Sequence, residues 1–152
     1  MSDCVACDLA AGRLPLPGGR LHETNHWVVE HCIGPLGLGT LIVKPKRHVT
    51  AVAALDSDEA AEMGLLLRLA SRVASQLVGA EQVYICLWSH SGGTPGHIHY
   101  VVQPVTAEQM GDHNLHGPKL QVAMFNRGEL PAHTDIERIA AAARRAFSGH
   151  AS

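Results

Sequence analysis

The chain has 152 residues, of which 46% are hydrophobic and 17% charged, a length that suits one domain and a composition that argues against disorder. Its formal net charge of −2 supplies no basic field for a polyanion, which argues against long nucleic acid as a partner. The apolar runs are shorter than the roughly 20 residues that a membrane-spanning helix needs. We therefore expect a single domain over residues 1–152 that neither crosses a membrane nor binds long nucleic acid.

The N-terminal residues 1–4 have neither the basic stretch nor the apolar stretch of a secretory signal, so we expect a cytoplasmic protein. In that reducing compartment the 4 cysteines are expected to be thiols or metal ligands. The 11 histidines are more than a core requires. This surplus of imidazole points to metal or phosphate chemistry.

The first half of the chain predicts a short helix followed by an antiparallel meander. A cysteine-bearing helix over residues 5–11 comes first, and a turn rich in Pro and Gly follows it. Apolar and alternating runs then predict three strands, over residues 21–24, 27–31 and 39–44.

A long amphipathic helix is the most strongly marked element of the second half. Asp56 and Glu59 have the spacing of a capping box, and apolar residues recur at helical intervals up to Leu77. Gly79 then ends the pattern.

Beyond this helix the pattern predicts a hairpin and a short C-terminal helix. The predicted hairpin has strands over residues 82–88 and 97–102, joined by a Gly-rich loop over residues 89–96. A second capping box, Thr134-x-x-Glu137, opens a helix that ends near Phe147. The order meander, helix, hairpin, helix predicts an α+β fold.

Two histidines lie one residue apart in the second hairpin strand. Because side chains alternate along a strand, His97 and His99 share one face while Ile98 and Tyr100 point to the other. One such histidine alone is more often a hydrogen-bonded core residue. The pair, next to a Gly-rich loop, indicates a site for nucleophilic or metal chemistry.

Cys4 and Cys7 form a CxxC pair whose spacing lets both thiolates reach one tetrahedral ion. Two more ligands are then needed. His22 and His26 follow at a finger-like distance, although they come after a Pro/Gly turn rather than lying on a helix.

Ligands from distant parts of the chain are the other option, with His48 and His97 as candidates because strand ends can converge on one site. A structural zinc site ranks first, ahead of an inert thiol pair and a redox pair, since a redox CxxC normally precedes a helix in a βαβ unit. The remaining thiols, Cys32 and Cys86, are expected to pack as small apolar side chains.

The predicted Gly-rich loop offers hydrogen-bond donors to a phosphate. Ser89, Ser91 and Thr94 carry hydroxyls, and glycines such as Gly93 let backbone N–H groups approach an anion. A tight hairpin would also use Gly and Pro, so the position of the loop directly before the two histidines is what gives it weight.

Two motifs in the chain resemble those of the histidine triad (HIT) superfamily of nucleotide hydrolases and transferases. They are Pro45-Lys46-Arg47-His48 and Gly96-His97-Ile98-His99-Tyr100-Val101-Val102-Gln103-Pro104, with the long helix between them. The resemblance covers residues 4–104 and leaves residues 105–152 as a C-terminal extension. It implies an α+β fold with an antiparallel, half-barrel-like sheet, commonly paired as a homodimer.

By position, His99 matches the family histidine that attacks the α-phosphate to give a nucleotidyl-histidine intermediate. In family members with an N-terminal CxxC, the positions that match Cys4, Cys7, His48 and His97 bind zinc. The resemblance therefore implies a hydrolase of a nucleotide phosphoanhydride or phosphoramidate, such as a dinucleoside polyphosphate, with a structural zinc ion.

The third position of the family signature differs in this chain. Val101 stands where the third histidine belongs, and Cys32 stands where an Asp or Asn often meets the ribose. His90 is a candidate for the missing donor, although a histidine in a hairpin loop is more often solvated.

The alternatives to a hydrolase are a nucleotide-binding protein with little or no turnover and a nucleotidyltransferase. Residues 111–131 have two open roles, closing over a leaving group or covering the sheet edge.

Overall fold

The computed structural model describes residues 4–91 and 93–150, except for the side chains of Ser89 and Ser91. Its first elements are α1 (Val5–Ala10), β1 (Arg20–Glu23), β2 (Trp27–His31), β3 (Leu41–Pro45), a 3-10 turn (Val52–Ala54) and α2 (Ser57–Val78). The later elements are β4 (Gln82–Ser91), β5 (Thr94–Val105), α3 (Ala107–His113), α4 (Gly117–Arg127) and α5 (His133–Gly149).

The five strands form one antiparallel sheet in the order β1-β2-β3-β5-β4, so the predicted α+β class is confirmed. One face of this sheet packs against α2 and α5. There, side chains such as Val43 and Val102 bury against Leu66 and Val73 of α2 and Phe147 of α5. Because strand side chains alternate, the residues between them point to the opposite face, which is left for a site. Among the described residues, no helix combines the length and apolar character that crossing a bilayer requires.

The long helix α2 begins and ends as predicted. The Asp56 carboxylate accepts from the backbone N–H of Glu59, and the Glu59 carboxylate accepts from the backbone N–H of Asp56, which completes the capping box. Gly79 ends the helix in a left-handed conformation with φ of +64°.

Glu59 also ties the segment after β3 to the start of α2. Its two carboxylate oxygens accept from Nε and Nη2 of Arg47 at 2.9 and 2.6 Å. Arg47 lowers the pKa of the buried Glu59 carboxyl, as expected for a bidentate ion pair. Further along, the carbonyl oxygen of Val49 accepts from the N–H of Ile98 at 2.8 Å. His48 lies between Arg47 and Val49, and the contacts of these two residues hold it beside β5.

The prediction of a Gly-rich loop over residues 89–96 is wrong. β4 and β5 continue almost to the end of the hairpin, with His90 paired to Pro95 and Ser91 to Thr94. Gly93, with φ of +81°, lies in the tight turn that joins them. Backbone pairing across the hairpin therefore prevails over the loop-forming tendency of the Gly and Pro residues.

The C-terminal part contains more helix than predicted. The predicted C-terminal helix is confirmed as α5, which has 17 residues and extends beyond the predicted end near Phe147. It begins at His133, with no side-chain hydrogen bond at its N-cap, Ala132. The predicted capping box at Thr134 is therefore wrong, because Thr134 already lies within the first turn. The α3 and α4 helices, which fill most of residues 107–127, were not predicted.

Buried His31 fixes the turn between β2 and β3. Its Nδ1–H donates to the carbonyl oxygen of Cys32 at 2.7 Å, and its Nε2 accepts from the backbone N–H of Gly39 at 2.9 Å. Burial lowers the pKa of His31, since a charged ring would lose the second bond as well as its hydration. The residues of this turn line the cavity described below.

We predict that His31 makes folding stability fall on acidification. A histidine with a lowered folded-state pKa contributes full stability above its unfolded pKa of about 6.5 and loses it as the pH falls towards the folded value. His31→Gln retains an acceptor for Gly39 and removes this titration. Thermal unfolding should show a smaller loss of melting temperature between pH 7 and pH 5 in the variant than in the wild type. Equal losses would contradict the assignment.

Candidate functional site

A cavity of about 900 Å³ lies on the sheet face opposite α2. Residues of β2, β3, β4 and β5 line its floor, and its walls include α1, the turn after β2 and Phe125 of α4. His97, His99 and Val101 all line this cavity, as the strand alternation predicted for the two histidines. The cavity therefore joins the candidate nucleophile to the candidate metal ligands.

Four side chains at one end of the cavity bring two sulfur and two nitrogen atoms together. Cys4, Cys7, His48 and His97 each offer one ligand atom, and these atoms all lie within 4.8 Å of one another. The Sγ atom of Cys7 is 3.3 Å from Nδ1 of His48 and 3.4 Å from Nδ1 of His97. The Sγ atom of Cys4 is 3.8 Å from Nδ1 of His97.

These distances fit the edges of a zinc tetrahedron. With Zn–S bonds of about 2.3 Å and Zn–N bonds of about 2.05 Å, a tetrahedral site has sulfur–nitrogen edges of about 3.6 Å. The three measured separations, 3.3, 3.4 and 3.8 Å, lie on both sides of that value. The donor set and its spacing can therefore hold a tetrahedral metal ion.

The ring of His97 is oriented for ligation. Its Nε2–H donates to the carbonyl oxygen of Pro45 at 2.8 Å, which leaves the lone pair on Nδ1, facing the two thiols. Burial is the main cause that lowers the pKa of His97 to about 4, so the ring stays neutral, as a ligand must. A carbonyl that holds the outer nitrogen is the usual support of a metal-bound histidine.

The two thiols are placed by the start of α1. Cys4 is the N-cap residue, and its Sγ accepts from the backbone N–H of Cys7 at 3.4 Å. Burial, followed by the neighbouring Cys4, raises the pKa of Cys7 to about 11. Cation binding here would therefore displace thiol protons, as it does at thiolate sites in general.

The structure does not place His22 and His26 as metal ligands beside the CxxC pair. His22 stacks on Phe147 with ring centroids 4.8 Å apart, and His26 Nδ1 lies 2.8 Å from a carboxylate oxygen of Glu62. Both histidines thus have partners away from the CxxC pair.

His99 lies half-buried in the same cavity. Its Nδ1 is 3.2 Å from the carbonyl oxygen of His97, an acceptor that places the imidazole proton on Nδ1. The lone pair is then on Nε2, the nitrogen that could attack an electrophile. His99 stands directly opposite Trp88 on β4.

Comparison with solved structures identifies the architecture. A zinc-bound histidine triad family protein from Mycobacterium smegmatis superposes with a TM-score of 0.70 at 22% identity, over 97% of this chain and 96% of that one. A Hit-like protein involved in cell-cycle regulation from Bartonella henselae gives 0.72 at 14% identity, with coverages of 95% and 96%. A hypothetical histidine triad nucleotide-binding protein from Sulfolobus tokodaii gives 0.72 at 19%, with coverages of 96% and 93%.

The chain has the histidine triad fold. No protein-family model matches the sequence, so the likeness is established through the structure. Zinc is bound in the relative from Mycobacterium smegmatis. In the present chain, the cluster of two thiols and two imidazoles offers the kinds of ligand atom that zinc takes in proteins.

Val101, which the sequence resemblance matches to the third histidine of the family signature, is buried in a small apolar cluster. Cys32, Leu36, Ile42 and Trp88 are among the side chains that surround it. Such surroundings suit a valine and would penalise a polar group without a partner. The position is thus part of the apolar wall of the cavity.

The residues predicted to bind phosphate have different positions. His90 and Thr94 line the cavity, whereas Gly93 is absent from the described lining. The side chains of Ser89 and Ser91 lie outside the described residues. Phosphate binding by this group stays a prediction.

Sequence reasoning missed several residues that form the site in this histidine triad fold. Phe125 of α4 contacts Trp88 edge to face, with ring centroids 5.6 Å apart, and both line the cavity. The alternation of β4 could have placed Trp88, since it faces the same way as His99. Lys44 and Glu30, also in the lining, form an ion pair with side chains only 2% and 3% exposed. A charged residue inside an otherwise apolar strand was the available signal for Lys44.

Proposed function

We propose that the protein is a histidine triad type hydrolase of nucleotide phosphoanhydrides or phosphoramidates, such as dinucleoside polyphosphates, that works through a nucleotidyl-His99 intermediate. The observation that carries this proposal is the orientation of His99, whose Nδ1 faces the carbonyl oxygen of His97 at 3.2 Å inside the cavity. That contact fixes the tautomer in which Nε2 is the nucleophile.

In the proposed reaction, Nε2 of His99 attacks the α-phosphorus. A P–N bond forms while the bond from phosphorus to the leaving group breaks, and the leaving group takes up a proton. Water then attacks the same phosphorus, the P–N bond breaks, and a nucleoside monophosphate is released. His90, which lines the cavity, is the proposed donor to the leaving group in place of the residue at position 101.

The cavity suits a nucleotide because its lining combines imidazole and lysine side chains with apolar and aromatic ones. The apolar and aromatic side chains, among them Ile42, Trp88 and Phe125, can contact a base. The similar protein from Sulfolobus tokodaii is described as nucleotide-binding, and we propose the same class of ligand here.

A nucleotide-binding protein with little or no turnover is the second candidate. The observation in its favour is Val101, which is 1% exposed in an apolar cluster and cannot donate a proton or a hydrogen bond. Binding would then remain while the chemical step became slow.

The two candidates are separated by incubating the wild type and His99→Asn with dinucleoside polyphosphates and nucleoside phosphoramidates. Intact mass spectrometry should detect a wild-type adduct with the mass of a nucleotidyl group, and the same samples should contain nucleoside monophosphate. His99→Asn should give neither, because an amide nitrogen is not a nucleophile.

His133→Asn serves as the control, since His133 is exposed at the start of α5 and should behave as the wild type. Nucleotide binding without product or adduct in the wild type would contradict hydrolysis and support the binding-only candidate.

We also propose that Cys4, Cys7, His48 and His97 bind one structural zinc ion. Four protein ligands close a tetrahedral shell, which is typical of structural rather than catalytic zinc. The ion would link α1 and the segment after β3 to β5, three parts of the chain that are distant in sequence. Its contribution would therefore be to folding.

The zinc proposal predicts about one zinc ion per chain by elemental analysis of the purified protein. Cys4→Ser should lower both the zinc content and the melting temperature, the latter by roughly 5–10 °C if two to three kcal/mol are lost. Cys86→Ser, which changes a half-buried thiol outside the cluster, is the matched control. An unchanged melting temperature after complete removal of metal would refute a structural role.

We further propose a homodimer formed through β4. This strand is at the edge of the sheet, so its outer backbone groups are available for pairing. Ile85 and Leu87, on the face that packs against α2, are 43% and 36% exposed. Antiparallel pairing of two β4 strands would extend the sheet across a twofold axis and cover these side chains.

Sedimentation velocity should then give twice the chain mass of 16.2 kDa for the wild type. Ile85→Lys combined with Leu87→Lys should shift the protein to the monomer, because two charges would be buried at the interface. Val122→Lys, at an exposed position of α4, should remain dimeric. A wild type that sediments as a monomer at high micromolar concentration would contradict the proposal.

A further inference from the structure

A buried ion pair on the floor of the cavity has no part in the reaction as proposed so far. The ammonium Nζ of Lys44 donates to Oε2 of Glu30 at 2.6 Å, and both side chains are almost fully buried. A buried pair of this kind often gives no net gain in stability over apolar side chains of similar size. Its position on the cavity floor is therefore the feature to explain.

The sheet register places Lys44 beside His99. β3 and β5 pair Leu41 with Val102, Ile42 with Val101 and Val43 with Tyr100. Lys44 and His99 are the next residues of β3 and β5 after these three pairs, and both line the cavity. Residues at such facing positions on antiparallel strands lie on the same face, with their Cβ atoms about 5 Å apart. Lys44 of β3 and His99 of β5 are thus neighbours on two adjacent strands.

Lys44 is also the basic side chain of the cavity lining, where it forms its ion pair with Glu30. It is the single Lys or Arg among the described residues that line the cavity. A polyphosphate or phosphoramidate carries negative charge on the phosphoryl oxygens next to the attacked phosphorus, and this charge needs a cation or several donors. Val101, on the same face, supplies neither.

We propose that the Lys44 ammonium binds the phosphoryl oxygens of the nucleotide next to His99, with Glu30 orienting the lysine side chain. An ammonium has three N–H groups, of which the bond to Glu30 occupies one. The lysine can therefore hold the carboxylate and a phosphoryl oxygen at the same time. This inference rests on the proposed nucleotide function and names the group that recognises the phosphate.

The test compares ligands that differ only in the phosphate. Calorimetry compares the binding of adenosine with that of AMP, and the binding of guanosine with that of GMP. Each ligand is titrated into the wild type and into the double variant Lys44→Met with Glu30→Met. This double variant removes both charges of the pair, so that neither is left unpaired. Lys46→Met, a change to a half-exposed lysine that pairs with Glu23, controls for net charge. Circular dichroism and melting temperature verify the folding of each variant.

The expected result is a preference for the monophosphate over the nucleoside in the wild type and in Lys46→Met. In the double variant the affinity for AMP or GMP should fall by about 10- to 100-fold, the effect of a hydrogen bond to a charged group. Affinity for the nucleosides should change less than about twofold, because a nucleoside lacks the phosphate that the Lys44 ammonium would bind.

Two failures are distinguishable. A wild type that binds neither nucleosides nor monophosphates would refute the nucleotide function itself. A double variant that keeps the wild-type preference for the monophosphate would overturn the role of Lys44 and leave the nucleotide function intact.

Glu30→Gln provides a second test should the double variant fail to fold. It retains an acceptor for Lys44 and removes the negative charge beside it. The preference for monophosphate over nucleoside should then rise by at least about threefold, since the ammonium no longer shares its charge with a carboxylate. An unchanged preference would overturn the proposal.

Discussion

The backbone and ring of His97 are the point on which the site depends. Its Nε2–H is fixed by the carbonyl oxygen of Pro45, its Nδ1 faces the two thiols, and its own carbonyl oxygen orients the ring of His99. The pleat of β5 puts both imidazoles on the face opposite α2. One residue therefore connects the candidate metal centre to the candidate nucleophile, and a shift of β5 would move both.

Packing on the other face is what keeps β5 in place. Val102 and its neighbours are buried against α2 and α5, while the capping residue Glu59 anchors Arg47 and thus the segment that carries His48. The site face, in contrast, combines an apolar wall around Val101 with few charges. A cation buried in such surroundings acts strongly on an anion nearby, because little water screens it.

The sequence predicts those parts of the fold that follow a local pattern. The capping box at Asp56 and the apolar repeat locate α2, and strand alternation puts the two histidines of β5 on one face. Spacing alone leaves the partners of the CxxC pair open, because their convergence is a long-range property, and the family resemblance is what favours His48 and His97. The α3 and α4 helices, with Phe125, are missed because short helices depend on tertiary packing more than on periodicity.

The central claim is that His99 carries the nucleotidyl group between two displacements at phosphorus. Stereochemistry tests it directly. A nucleoside phosphoramidothioate of one configuration at phosphorus is hydrolysed in ¹⁸O-labelled water, and the configuration of the labelled product is determined by phosphorus NMR. Each in-line displacement inverts the phosphorus, so the covalent route through His99 predicts net retention. Net inversion would mean that water attacks the substrate directly, and it would contradict the account.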